Sequence, residues 1–158
     1  MPSILVAVAV RCLLVMLFLP FSALDKILNA KQAVDQAADA VRTRWVARLF
    51  IVLGFGIEVV MSLAILTGVA DRLAAFILAG YCLVTALLWK QFWKSPDFRL
   101  KGASRGREIF WDFLKNGAVA GGLLLLAFGT DASGVRNLWN HPLASTRPYA
   151  LSQHEGRT

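Results

Sequence analysis

The sequence predicts an all-α integral membrane protein, a four-helix bundle with a short interfacial helix between its first and second spans. Three observations carry that prediction. The chain of 158 residues is 57% hydrophobic, with a mean hydropathy of +0.57, above the roughly 45–50% apolar content of soluble domains. The excess falls in four blocks, at about residues 4–24, 47–69, 72–92 and 109–129, each close to the ~20 residues a helix needs to cross the hydrocarbon core. The lysines and arginines are gathered between particular blocks and not spread along the chain.

The first block competes with a signal peptide. No Lys or Arg precedes Arg11, the block is long, and "FSALDK" is a poor cleavage site, so a retained span is the better reading. Lys26, Lys31, Arg42, Arg44 and Arg48 lie between spans one and two. Lys90, Lys94, Arg99, Lys101, Arg105 and Arg107 lie between spans three and four. Opposite them stand only Arg72, in the tight 2–3 turn, and Arg136, Arg147 and Arg157 in the tail. The positive-inside rule then places loops 25–48 and 90–108 in the cytoplasm and both termini outside, periplasmic for a bacterial inner membrane. The net charge of +7 is explained by anionic headgroups beside those loops, which makes the lipid bilayer the expected partner and excludes nucleic acid.

Within the first loop, "NAKQAVDQAADAVRTRW" sets Ala30, Val34, Ala37 and Val41 on one helical stripe, with Asp35, Asp39 and Arg42 away from it. This is a weakly amphipathic helix suited to the interface; a plain solvated connector is the competing reading. The loop "KSPDFRLKGASRGRE" contains Pro96, Gly102 and Gly106 and reads as irregular. Trp89, Trp93 and Trp111 flank it at headgroup depth. A membrane domain over 1–130 is thus followed by a polar tail over 131–158, whose His141 and His154 read as surface residues.

The ionisable residues inside the blocks are the candidates for function. A charge at the bilayer centre costs ~2.5–3.5 kcal/mol on insertion scales, so Glu58 is expected to face protein and to have a partner. Gly54 and Ser62 lie one turn to either side of it, and small residues at that spacing let helices approach closely. Arg11 is the expected partner. At ~1.5 Å per residue it sits roughly 10 Å from the outer end of span one, and Glu58 roughly 16 Å from the outer end of span two. Such a pair either pins helix register or brackets a quinone headgroup, a lipid or a proton.

A second polar group is expected nearer the cytoplasm, from Asp25 and Lys26 at the end of span one and Asp112, Lys115 and Asn116 at the start of span four. Ordinary snorkelling helix-end charges are the plainer reading. Tyr81, Thr85 and Trp89 recur at i, i+4, i+8 on span three, as a headgroup slot or as packing with satisfied hydroxyls. Gly117 and Gly121 form a GxxxG face on span four, expected by default to meet another helix of the bundle, with a partner subunit's helix as the alternative. Cys12 and Cys82 lie inside apolar blocks and form no CxxC. No catalytic residue, metal site or cofactor motif is expected from these patterns.

Taken in order, Arg11, "FLPFSALDK" through Lys26, "GFGIEVVMSLAILTG" with Glu58, "DRLAAFIL" with Arg72, and "FWDFLKNGAVAGGLLLLAFG" resemble the DoxX family of small four-span membrane proteins. The resemblance runs over roughly residues 8–129 and marks Arg11, Lys26 and Glu58; Ser62 stands where the family commonly has a glycine. The resemblance links the chain to relatives of three kinds: namesakes tied to thiosulfate:quinone oxidoreduction, members of membrane redox complexes, and members with no assigned activity. Two expectations follow. The first is a non-catalytic accessory subunit of a larger membrane complex, holding lipid or quinone between its helices and contacting other membrane subunits or itself. The alternative is a quinone-linked oxidoreductase component that uses the Arg11/Glu58 region.

Overall fold

The computed structural model describes residues 2–41, 43–129, 139, 140 and 143. Span one is built from α1 (Pro2–Met16), a wide turn at Leu17–Ser22 and α2 (Ala23–Leu28). Then come α3 (Ala30–Val41), α4 (Arg44–Thr67), α5 (Asp71–Trp89), a short turn at Phe92–Lys94 and α6 (Arg105–Phe128). Four stretches are long and apolar enough to cross a membrane: Leu5–Leu28, Arg44–Thr67, Asp71–Lys94 and Arg105–Phe128. Between 11% and 33% of each one's apolar window is buried, so the leucines and valines that remain point outward, where lipid and not water can receive them. The chain is a multi-pass membrane protein.

The elements end where local chemistry ends them. Gly68, at φ 75°, closes α4 in the left-handed conformation, which glycine adopts without a Cβ penalty. Ala70 follows at φ 49°, and Asp71 opens α5, so α4 and α5 form a tight hairpin. Span one is broken at Leu19 (φ −122°, ψ 109°), just before Pro20. Proline supplies no N–H and disfavours helical geometry in the residue before it. The Leu19–Pro20 peptide is cis, and the Ala23 amide resumes the ladder by bonding the Phe18 and Pro20 carbonyls.

The centre of the bundle is α5. Its buried residues are mostly small (Ala74, Ala75, Ala79, Cys82 and Ala86, with Leu78), which lets α4 and α6 approach from either side. Val15 and Phe18 of span one, Ile65 of α4 and Ala120, Leu123 and Ala127 of α6 complete the core. The close approach of α6 to span one falls at Gly122, where an added Cβ would meet Leu14 Cδ2 at 2.9 Å. It does not fall at Gly117 and Gly121, above which space is open. The GxxxG pair is therefore no internal contact, because the rotation of α6 turns Ala120 and Leu123 inward instead.

The expected loop helix exists as α3, with Ala37 buried. It packs chiefly on α4. Its inward face differs from the expected stripe in one residue, since Ala30 is exposed; Arg42 and the side chains of Asp39 and Val41 lie outside the described residues. The 95–104 loop is irregular in backbone but tightly tied. Asp97 accepts hydrogen bonds from the Arg105 and Gly106 amides at 2.9 and 3.1 Å, and Ser104 Oγ accepts from Arg107 N. His141 and His154 lie outside the described residues, as does nearly all of the tail.

Candidate functional site

Glu58 lies midway along α4 and is 2% exposed. Gly54 and Ser62, one turn away on either side, are buried with it, so this face of α4 is turned into the bundle. The partner of Glu58 is Lys26. Its ammonium donates to Oε1 at 2.6 Å and to Oε2 at 2.7 Å, and a third bond goes to Ser22 Oγ at 2.8 Å. All three ammonium hydrogens are thereby used. Beside the same carboxylate stands the hydroxyl of Tyr81. The Tyr81 ring fits because Gly54 has no side chain: a Cβ there would lie 2.9 Å from the phenol oxygen.

The expected Arg11–Glu58 pair does not form. Arg11 donates to Asp71 Oδ2 at 2.5 Å and to the Ile65 carbonyl at 2.9 Å. Asp71 is fully buried at the start of α5. Two features of the fold set this pairing. Asp71 stands at the tight turn between spans two and three, yet it is fully buried against Arg11 of α1. Span one is also not a straight rod. Fifteen residues separate Arg11 from Lys26, and only seven separate Glu58 from Ile65. At ~1.5 Å per residue those are about 22 Å and about 10 Å. The break at Leu19 and the length of the lysine side chain make up the difference, and Lys26 reaches back toward the middle of the membrane.

Two ion pairs therefore tie span one to the α4–α5 hairpin, with side chains 15% and 3% exposed for Lys26 and Glu58 and 14% and 0% for Arg11 and Asp71. Ser62 lies on α4 between them, four residues after Glu58 and three before Ile65. Its hydroxyl is buried without a hydrogen-bond partner among the described residues.

The remaining candidates do not converge on this group. Asp25 accepts from Asn29 at the exposed end of α2. Asp112 is bound by Lys90 at 3.0 Å and by Lys115 at 3.4 Å, and Asn116 donates to its backbone carbonyl. These are half-exposed helix-end charges on α5 and α6. Of the aromatic stripe on α5, only Tyr81 reaches the polar group. Thr85 turns its hydroxyl to the Tyr81 and Cys82 carbonyls of its own helix, and Trp89 is half-buried. Cys12 is exposed and Cys82 buried, both as free thiols. Among the described residues no three His, Cys, Asp or Glu side chains are grouped to hold a metal ion.

Chemically, each ion pair is net neutral, which removes most of the cost of carrying charge at this depth. The Glu58 carboxylate has an ammonium and a phenol beside it, both able to give it hydrogen bonds. No curated protein and no solved structure matches the chain. The model of the DoxX family matches residues 6–91, more than half of the chain. That stretch contains Arg11, Lys26, Glu58 and Asp71, all four members of the two ion pairs, and by this match the chain belongs to the DoxX family.

Proposed function

We propose that the protein is a non-catalytic accessory subunit of a larger redox or respiratory complex in the inner membrane. Its termini face outward, and its 25–48 and 90–108 loops face the cytoplasm. The observation that carries the reading is the use made of the intramembrane charges. Both cations of span one are bonded to carboxylates of the α4–α5 hairpin, and so serve as interhelical ties. The outward face of α6, with Gly121 and Ala118 exposed and Gly117 half-buried, supports it, because such residues let a second membrane helix lie close. Purification in a mild detergent should bring down other membrane subunits, and Gly121→Leu should release them while the chain itself stays folded. A clean monomer from the native membrane would overturn the reading.

A second reading is favoured by Tyr81. A phenol and an ammonium beside one carboxylate suit a hydrogen-bonded proton path to a quinone headgroup held between the helices, and the unpartnered Ser62 hydroxyl adds a hydrogen-bonding group nearby. The discriminating variant is Tyr81→Phe, which leaves the Lys26–Glu58 pair intact. Loss of quinone-dependent turnover in that variant, with unchanged thermal stability, favours the oxidoreductase component over the accessory subunit.

A further inference from the structure

We propose that the segment 93–105, which joins spans three and four, is a docking surface for anionic phospholipid, built from four outward cations around an apolar tip. Lys94, Arg99, Lys101 and Arg105 are all exposed. Leu100, between Arg99 and Lys101, is 67% exposed, and Trp93 is 50% exposed. An apolar side chain flanked by cations, at the level where two spans end, suits the boundary between acyl chains and phosphates.

The surface is held in one shape. Phe92 packs against Phe98, Phe110 and Phe113, with ring centres 5.0–5.5 Å apart. Arg107 donates to the Gly102 carbonyl at 2.9 Å. Gly106 lies against the Phe98 backbone so closely that an added Cβ would sit 2.7 Å from Phe98 Cα. Asp97, the single acid between Trp93 and Arg105, is turned onto the Arg105 and Gly106 amides and Ser95. The exposed charges of the segment are therefore four cations and this one tied carboxylate, and the first amides of α6 are already occupied.

One comparison favours a lipid role over a stabilising one. In the other basic loop, Lys26 is committed to Glu58 and Arg44 to Asp35 at 3.1 Å, which leaves only Lys31 and Arg48 without a carboxylate partner among the described residues. The side-chain cations of Lys94, Arg99, Lys101 and Arg105 form no ion pair among the described residues. The inference rests on membership of the membrane and is independent of the accessory-subunit reading.

The test places the full chain in nanodiscs of mixed phosphatidylglycerol and phosphatidylcholine and reads, by native mass spectrometry, which lipids leave with it. Phosphatidylglycerol should be retained preferentially. The double variant Arg99→Gln/Lys101→Gln should cut the preference on the order of fivefold per charge removed, and Arg99→Lys/Lys101→Arg should keep it. An undiminished preference in the glutamine variant would overturn the proposal. An equal loss in Lys31→Gln/Arg48→Gln would do so too, since total charge and not this surface would then set the preference. Displacement of the lipid by inorganic phosphate would show a small-anion site and sink the lipid assignment.

Discussion

Lys26 and Glu58, from spans one and two, meet through two hydrogen bonds of 2.6 and 2.7 Å that run from one ammonium to both oxygens of one carboxylate. Removing one partner of such a pair leaves the other buried and uncompensated, at a cost of about 3–5 kcal/mol. Glu58→Gln should fall near the low end, because Lys26 can snorkel toward the interface once released. Lys26→Met/Glu58→Leu should recover much of that loss. Thermal unfolding in detergent of the two single variants and the double one measures it.

Arg11 is bonded to Asp71 and not to Glu58, and a pair of double-mutant cycles separates the two arrangements. Arg11→Leu with Asp71→Asn should show coupling of at least about 1 kcal/mol, as contacting residues do. Arg11→Leu with Glu58→Gln should be additive within about 0.5 kcal/mol. Coupling in the second cycle and none in the first would mean the pairing is wrong.

Gly54 makes room for Tyr81. Gly54→Ala puts a methyl 2.9 Å from the phenol oxygen and 3.3 Å from the ring, an overpacking worth about 1–3 kcal/mol. Tyr81→Phe removes the nearest of those atoms and should restore part of the loss in the double variant. A fully tolerated Gly54→Ala would show that Tyr81 does not lie across α4 beside Glu58.

The glycines of α6 should divide sharply. Gly106→Ala meets Phe98 backbone, which has no rotamer to yield, and should detach the 95–104 loop from the helix. Gly117→Ala and Gly121→Ala meet open space and should raise the stability of the isolated chain by up to about 1 kcal/mol each, from helix propensity. If α6 carries a partner helix, the same two variants weaken co-purification. Stability and pull-down then move in opposite directions.

Asp97 gives the loop a pH dependence. The Ser95 hydroxyl and the Arg105 and Gly106 amides hold its carboxyl below the ordinary value of 3.8. A carboxylate with a depressed folded-state pKa stabilises the fold above its unfolded value, and that contribution is lost as pH falls through the folded one. The anchoring should therefore be complete at neutral pH and weaken in acid below 3.8. Amide hydrogen exchange at Arg105 and Gly106 should rise in that range relative to mid-helix amides of α6. Asp97→Asn should flatten the difference.

How much of this was legible in the sequence varies with the range of the interaction. The four spans are local facts, since ~20 apolar residues in a row leave a helix across the bilayer as the available solution. The inward direction of Glu58 was also legible, because Gly54 and Ser62 share its face by the 3.6-residue period alone. Its partner was not. Lys26 reads as the end of a helix, and the break before Pro20 together with the reach of the lysine side chain brings its ammonium to Glu58. The aromatic stripe of α5 was visible at i, i+4, i+8, but nothing in its spacing singles out Tyr81 from Thr85 and Trp89. The signal that could have separated them was Gly54, a vacancy opposite one aromatic ring.

By itself the sequence determined that this chain is a four-span α-helical membrane protein with its basic residues gathered in two connecting loops, because hydropathy and charge act on each segment separately. Tertiary structure decided which charge meets which, that Asp71 is buried, and that Gly122 and not Gly117 or Gly121 faces span one. Those outcomes depend on how each helix is rotated, shifted and broken against its neighbours. A few ångströms of axial shift, or one turn of phase, changes every partner while leaving the apolar pattern of each span as it was.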